Sequence, residues 1–323
     1  MVAAPSLDVD PSTVSGIDPS DARAVRLALT GLTGYDSPDL TITQLTGGLT
    51  NRSYRVNVSA APSVVVRLSE GKSALLAIDR VAECANLRAA VHAGVAPRVL
   101  RCDPAAGFSV VEWIDGHTFE PHDLDDPTQL ARVAALTRDL HAGPRFVNDF
   151  EMFAVQRDYR DVVGTRGFRL PDRYDDFAPR LAEMAAALSS SAEGTVPCHN
   201  DLLAANILDD GTRLWFIDYE YAGNNDACFE LGNIWGECQL PDDALAALIA
   251  EYYGRPLRNK IARAMLLGLA GKYGWTLWGA IQAAVSPIDF DFWSWAMERF
   301  EGAASGFTSS RFGELLDEAQ RTD

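Results

Sequence analysis

The segment from residue 199 to residue 220 constrains the fold of this chain more than any other. Its polar first half ends at Asn206, and the apolar pair Ile207-Leu208 follows. The turn sequence Asp209-Asp210-Gly211 then leads into a second apolar run, which ends in Asp218. Two short apolar runs separated by such a turn predict a β-hairpin. Pairing of its strands would bring Asn206 and Asp218 close together.

Three side chains of this segment have the chemistry and the spacing that phosphoryl transfer requires. Asp201 stands five residues before Asn206, and Asp218 closes the second strand. The reaction needs an aligned hydroxyl and a neutralised triphosphate rather than a covalent intermediate. Mg²⁺ prefers oxygen ligands. We therefore expect Asp201 to accept the proton of the attacking hydroxyl, and Asn206 and Asp218 to bind Mg²⁺ on ATP.

His199 has two interpretations. The spacing of His199, Asp201 and Asn206 is that of the catalytic loop of protein kinases, which makes His199 a candidate catalytic residue. The same histidine would equally well brace the loop without touching a substrate. An isolated H-x-D pattern marks a turn more often than a site, so the prediction depends on the whole segment.

The bulk composition is that of a globular protein. The 323 residues are 47% hydrophobic and 23% charged, enough for two lobes with a large core. The sequence contains no apolar run of about eighteen residues, so no membrane span is expected. Residues 1–20 lack the basic and apolar pattern of a signal sequence, so we expect a flexible leader there and a cytoplasmic protein. Five scattered cysteines without C-x-x-C spacing favour a reducing compartment and argue against zinc.

The net charge of −17 bears on the partners. A strongly acidic surface disfavours nucleic acid, whose phosphates need basic groups. It suits a cationic small molecule through electrostatic steering, although acidic surfaces also serve solubility alone. No membrane partner is expected, and the chain is predicted to be a monomer or a homodimer.

Strand patterns precede helix patterns along the chain. Alternating and apolar runs between residues 40 and 68 and from 108 to 113 predict strands, with one long helix at 79–93 between them. Helical signals dominate after residue 117. This order predicts an α+β fold with a small β-rich lobe at 21–115 and a larger helical lobe at 116–323.

Two motifs of the first lobe are candidates for binding ATP. In the loop before the second strand, Gly48, Thr50 and Asn51 could cap the phosphates, although two glycines between strands are often only a turn. Arg67 stands inside an apolar strand, where a charge needs a partner, and Glu83 on the next helix would supply it. The alternative for Arg67 is an exposed position on an edge strand.

The backbone at the end of the apolar run 108–113 is a third candidate for binding ATP. Glu112 and Ile114 lie just before the proposed boundary between the lobes. In a protein kinase the corresponding backbone groups meet the adenine edge, so both residues are predicted to contact the nucleotide. Their side chains carry no signal for this role.

Several motifs now occur in a recognisable order: 45–51, 64–68, Ile78-Asp79-Arg80 with Glu83, His199-Asn200-Asp201, 217–223 and 229–233. In this order the chain resembles the choline and ethanolamine kinases, within the superfamily of aminoglycoside phosphotransferases and bacterial thiamine kinases. The resemblance spans about residues 40 to 305. It implies a protein-kinase-like bilobal fold, ATP and Mg²⁺ as cofactors, and phosphorylation of choline, ethanolamine or a related amino alcohol.

The resemblance extends to a tryptophan-rich region after residue 270. There it implies an aromatic pocket for a quaternary ammonium, which cation–π contacts can hold without a hydrogen bond. The residues that it assigns to the substrate, beside Asp201, are Glu220, Tyr221, Glu237, Trp275, Trp278 and Trp295. Without the resemblance, a tryptophan-rich helix pair would be interpreted as core.

Two departures from the family pattern concern the substrate. The loop Asp201-Leu202-Leu203-Ala204-Ala205-Asn206 is less polar than in eukaryotic choline kinases and looks bacterial, and Glu230 stands where Asp is commoner. Neither change removes a catalytic group. The alternatives are a kinase for thiamine, an aminoglycoside or a sugar, and a non-catalytic pseudokinase that binds a nucleotide or a metabolite.

Overall fold

The first lobe is an antiparallel sheet with one helix before its first strand and another between its third and fourth strands. The computed structural model describes residues 17–37, 39–69, 71 and 73–322. Within them, the elements of this lobe are α1 (Pro19–Leu29), β1 (Thr41–Leu45), β2 (Asn51–Val58), β3 (Ala61–Ser69), α2 (Arg80–His92), β4 (Val99–Asp103) and β5 (Phe108–Glu112). The strands lie in the order β1-β2-β3-β5-β4.

Alternating side chains of β2 and β3 build the core of this lobe. Tyr54 pairs with Val66 and Val56 pairs with Val64, and all four are buried. Aromatic and β-branched residues favour such half-buried strands. The residues of α1 that face the sheet join the same apolar cluster. The opposite face of β3 is left to carry Arg67 toward the second lobe.

Helix α1 begins earlier than its sequence suggests. The sequence predicts a helix from Asp21 to Leu32 with an N-cap at Ser20-Asp21, but the helix spans Pro19–Leu29. Asp18 is the N-cap, because its Oδ1 accepts from the Ser20 amide at 2.7 Å. Asp21 is instead buried against Arg52 and the Tyr54 hydroxyl. Residues 1–16, most of the predicted leader, lie outside the described residues.

The second lobe is a bundle around one long helix. Its helices are α3 (Pro127–His141), α4 (Met152–Arg166), α5 (Ala178–Ser190), α6 (Ala227–Glu237), α7 (Asp242–Tyr253), α8 (Arg258–Val285), α9 (Phe292–Thr308) and α10 (Arg311–Ala319). Helix α8 is buried along most of its length, because α4, α6, α9 and α10 all pack against it. Among the described residues, no helix is long and apolar enough to cross a membrane.

Helices α6 and α8 approach each other through glycine. A Cβ atom at Gly232 would overlap the carbonyl oxygen of Ala264, and one at Gly268 would lie 2.7 Å from the Gly232 oxygen. Backbone contact of this kind is possible only where no side chain intervenes. It sets the position of α6, whose residues support the loop before the hairpin.

Short strands join the lobes and hold the predicted hairpin. They are β6 (His117–Thr118), β7 (Val196–Cys198), β8 (Ile207–Asp209), β9 (Leu214–Phe216) and β10 (Gly223–Asn225). Strands β8 and β9 pair antiparallel, β6 pairs with β8, and β7 pairs with β10. The predicted α+β fold, with a small β-rich lobe and a larger helical lobe, is confirmed. The exact boundary at 115–116 stays a prediction.

The cysteines differ from the expectation of scattered free thiols. Cys84 of α2 and Cys102 of β4 form a disulfide, while Cys198, Cys228 and Cys238 are free and buried. The sequence hides this pair, because its members are 18 residues apart and meet only when α2 packs beside β4. The bond ties α2, which carries Glu83, to the sheet.

Candidate active site

The loop after β7 and the hairpin β8–β9 bring the three predicted catalytic and metal-binding residues together. The Asn206 side chain donates to the Asp201 carbonyl at 2.8 Å, and the Ile217 amide donates to the Asn206 carbonyl at 3.0 Å. Asp218 follows directly with a φ of 71°. A non-glycine residue in this left-handed region is uncommon and is found at functional sites.

Burial and mutual repulsion disturb the acids of this cluster. Burial raises the pKa of Asp201 well above its usual value, and Asp218, Glu237 and Glu220 raise it further. Burial also raises the pKa of Asp218 to about 6, against the opposing charge of Arg67. Carboxylates that are costly to ionise together are stabilised by a divalent cation. The oxygen donors of Asn206 and Asp218 therefore fit Mg²⁺.

A buried acid behind the loop fixes its backbone. Glu230 is fully buried on α6, and its two carboxylate oxygens accept from the amides of His199 at 2.6 Å and Asn200 at 2.8 Å. Asn233, one turn later, accepts from the Leu202 amide at 2.7 Å. Sequence reasoning assigned neither residue a role. The only signal was their place in the segment 229–233.

His199 lies under the loop rather than in the cleft. Its ring is fully buried, and Nε2 lies 2.8 Å from the Ile217 carbonyl oxygen. Burial lowers its pKa below the usual value, which keeps the ring neutral. These contacts fit the bracing interpretation, because they join the catalytic loop to the strand that ends in Asp218.

Arg67 is the centre of an ion-pair network between the lobes. Its guanidinium lies 3.1 Å from Glu83, 2.6 Å from Asp218 and 2.9 Å from Glu220. Burial opposes the charge, but the three carboxylates outweigh it and raise the pKa of Arg67. Arg80 is a second cation, 2.7 Å from Glu83 and 3.2 Å from Glu220. The predicted pair of Arg67 and Glu83 is present, and Arg67 is not an exposed edge residue.

The glycine loop between β1 and β2 is anchored to the same network. Asn51 donates to Glu220 at 2.8 Å and accepts from Arg80 at 2.9 Å. The Asn51 side chain and the Glu220 carboxylate are therefore engaged with each other, although sequence reasoning placed them at the nucleotide and the acceptor. Gly48 cannot carry a side chain, because a Cβ would lie 2.7 Å from the Asn51 carbonyl oxygen. Thr50 is half-buried between these two residues.

The strand end predicted to meet the nucleotide base is partly used by the sheet. The Glu112 amide donates to the Arg98 carbonyl at 2.9 Å, and the Trp113 amide donates to Ser63 at 3.1 Å. Ile114 follows these two bonds and is half-buried. Of the two predicted residues, Glu112 therefore has its amide engaged in the sheet.

The predicted aromatic residues form one continuous cluster. Trp278 donates from Nε1 to the Tyr221 hydroxyl at 2.8 Å, and its ring lies 5.0 Å from that of Trp295. The rings of Tyr221 and Trp275 are also 5.0 Å apart and nearly perpendicular. Helices α8 and α9 thus place the three tryptophans in one cluster, in which Trp275 and Trp278 contact Tyr221 and Trp295 contacts Trp278. Trp275 and Trp278 are buried, at 4% and 6% exposure.

A cation of the chain itself occupies one side of this cluster. Arg299 of α9 stacks 3.4 Å above the Trp295 ring and forms an ion pair of 2.5 Å with Glu237. The Glu237 carboxylate, predicted to face the substrate ammonium, is therefore already paired. Arg299 also lowers the pKa of Asp201, although burial and three acids outweigh it. Sequence reasoning missed Arg299, which stands one helical turn after Trp295.

An acidic cavity of about 290 Å³ opens beside Glu220 and Tyr221. Its other acidic lining residues are Asp79, Asp149, Glu151 and Asp158. Asp79 and Glu151 are N-caps of α2 and α4, so their charges are partly offset by backbone amides. The remaining negative field favours small cations near the aromatic cluster.

Known proteins resemble this chain in sequence and in fold. The model of a family described as the phosphotransferase enzyme family matches residues 41–266. Ethanolamine kinase 1 of Mus musculus is 28% identical over 307 residues, which cover 82% of this chain and 84% of that protein. The crystal structure of a choline/ethanolamine kinase family protein from Mesorhizobium loti has a TM-score of 0.79 and 31% identity, covering 93% of this chain and 99% of that one. The choline kinase LicA from Streptococcus pneumoniae, at 19% identity and a TM-score of 0.76, shares the fold over 89% of this chain and 99% of its own.

Proposed function

Because this chain belongs to the phosphotransferase enzyme family and, within it, to the choline/ethanolamine kinases, we propose that its acceptor is choline or ethanolamine. The chain is an ATP-dependent small-molecule kinase, and the proposed products are ADP and the phosphomonoester of the amino alcohol. The observation that carries the choice of acceptor is the aromatic cluster of Tyr221, Trp275, Trp278 and Trp295, whose member Tyr221 lies within range of the Asp201 charge.

The residues would divide the work as follows. Asp201 orients the acceptor hydroxyl and takes its proton as the bond to phosphorus forms. Asn206 and Asp218 would hold Mg²⁺, which neutralises charge on the triphosphate when bound. Arg67, held by Glu83, supplies a further positive charge at the phosphates.

The acceptor ammonium would lie against the aromatic cluster. Aromatic faces attract both a primary and a quaternary ammonium, and the acidic cavity beside Tyr221 raises the local concentration of cations. A tryptophan cluster does not suit a bulky, polar aminoglycoside or a neutral sugar, neither of which offers a compact ammonium to the aromatic faces.

The acceptor assignment is tested by ADP release from ATP and Mg²⁺. The acceptors are choline, ethanolamine, thiamine, kanamycin and glucosamine, each against a control without acceptor. We expect the rate of ADP release with choline or ethanolamine to be well above the rate with the other acceptors. Turnover with only one of the other acceptors would refute the proposed substrate while leaving the kinase activity, and binding of ATP without turnover would favour a pseudokinase.

We further propose that the protein works in the cytoplasm as a monomer or a homodimer. A reducing cytoplasm would keep cysteines as thiols, whereas Cys84 and Cys102 are bonded in the structure. Quenching intact cells with acid and then alkylating the thiols in denaturant, which exposes the buried cysteines, decides the point. Labelling of all five cysteines is expected in the cytoplasm, and protection of the Cys84–Cys102 pair alone would contradict that location.

A further inference from the structure

Helix α8 contacts the glycine loop directly. Gln282 donates from Nε2 to the carbonyl oxygen of Leu49 at 2.9 Å, across 233 residues of sequence. The Gln282 side chain is 3% exposed. A buried amide needs a partner, because an unsatisfied one costs more than the bond itself contributes. This bond therefore holds the loop against the second lobe.

Leu49 also contacts the second lobe through its side chain. It packs against the large apolar core cluster, which includes Trp278. Trp278 and Gln282 are four residues apart on α8, so both lie on the same helix face. One face of α8 thus carries a wall of the aromatic cluster and, one turn later, the anchor of the loop.

The far end of the loop is tied to the aromatic cluster by a second route. Asn51 donates to Glu220, and the next residue, Tyr221, accepts from Trp278. The glycine loop is therefore held at Leu49 and at Asn51 by groups adjacent to the proposed acceptor pocket. Gly47, at the start of the loop, has a φ of 101°, a conformation in which the backbone can approach phosphates closely.

From this arrangement we propose that Gln282 is a positioning residue that couples the acceptor pocket to the nucleotide loop. This inference rests on the proposed function of the same site. A bound amino alcohol would restrict the motion of the α8 face that carries Trp278. Through its hydrogen bond to Leu49, Gln282 would then hold the glycine loop over ATP. Linkage requires the reverse effect to be equal, so ATP raises the affinity for the acceptor by the same factor.

The coupling factor is measured by calorimetry. The dissociation constant of a non-hydrolysable ATP analogue with Mg²⁺ is determined alone and with saturating choline or ethanolamine, whichever the enzyme turns over. We expect the wild type to bind the analogue about fivefold more tightly with the acceptor, a factor typical of one buried hydrogen bond. We expect Gln282→Leu to bring that factor to about one, with acceptor affinity in the absence of nucleotide unchanged.

Matched variants separate coupling from folding. Gln282→Met keeps the side-chain length without the donor and should behave as Gln282→Leu does. Thr276→Val is the control, since Thr276 is equally buried on α8 but its hydroxyl bonds within the helix to Lys272. An unchanged coupling factor in both Gln282 variants, no coupling in the wild type, or equal loss in Thr276→Val would each overturn the proposal.

Failure of the proposed function gives a different result. If the wild type turns over neither amino alcohol, the acceptor assignment fails. The role of Gln282 is then tested by the affinity for the ATP analogue alone. Gln282→Leu should then still weaken analogue binding while Thr276→Val does not. Equal affinity in all three proteins would refute the role of Gln282 in positioning the loop.

Discussion

Asp201 is the residue at which the chemistry is tested most directly. Asp201→Asn keeps the shape of the side chain but removes the proton acceptor, so we expect kcat to fall by roughly 10²- to 10⁴-fold. Binding of ATP should persist, because Asn206, Asp218 and Arg67 remain. Single-turnover kinetics and calorimetry measure the two effects. Asp317→Asn, at an exposed position on α10, is the control, and near-normal kcat in Asp201→Asn would remove its assigned role.

Trp278 distinguishes an acceptor pocket from an apolar core. Trp278→Phe preserves a buried aromatic ring but weakens the cation–π face and removes the donor to Tyr221. We expect the KM of the acceptor to rise about fivefold while the KM of ATP stays unchanged. The control is Trp293→Phe, whose ring stacks with Arg169 instead. Equal acceptor KM values in both variants would assign Trp278 to the core.

Elements were predictable where local signals and tertiary packing agree. The hairpin of β8 and β9 and the helix α2 follow from turn residues and caps, and both lie within two residues of their predicted positions. Helix α1 was misplaced because Asp18 and not Ser20 caps it, and the two residue types cap helices about equally well. Contacts that arise only from packing carry no local signal. Glu230 under the loop and Arg299 on Trp295 are of this kind, and so is the Cys84–Cys102 pair.

The contact between α6 and α8 makes a prediction about stability. Gly232→Ala would place a methyl group against the Ala264 carbonyl oxygen, and the helices must separate to accept it. We expect the free energy of unfolding to fall by about 1–3 kcal/mol. Gly313→Ala on α10, where a Cβ meets nothing within 4 Å, should instead gain up to about 1 kcal/mol. Urea unfolding measures both, and equal values would mean that α6 and α8 do not depend on this approach.

The whole molecule is organised by the charges that meet between its lobes. The sequence indicated two lobes and the three hairpin residues, because each is encoded in consecutive residues. It did not indicate that Arg67, Arg80, Glu83 and Glu220 would form one network, since these side chains come from separate elements. This network and the Gln282 bond to Leu49 both join the lobes. Changes to these residues should therefore affect both ligand binding and the free energy of unfolding.

The pH dependence of unfolding reports on this interlobe cluster. Burial raises the pKa of Asp218 to about 6 when the protein is folded, whereas the same group in the unfolded chain ionises near its usual 3.8. Between these values the folded state binds more protons, so the contribution of Asp218 to the free energy of unfolding falls as pH rises from about 4 to about 6. Asp218→Asn removes a titrating group, and the variant should therefore lose part of that fall when both proteins are unfolded by urea in EDTA.

Asp209 supplies a control of opposite sign. Its hydrogen bond to Arg132 lowers its pKa, so its stabilising contribution is present above its usual pKa and is lost as pH falls. Asp209→Asn should therefore destabilise the protein most at neutral pH and least below about pH 4.

Adding Mg²⁺ and ATP should stabilise the wild type increasingly above about pH 6, where Asp218 is ionised, and should do so much less in Asp218→Asn. Parallel pH profiles for the wild type and Asp218→Asn, with and without ligand, would show that Asp218 neither titrates in this range nor binds the cation.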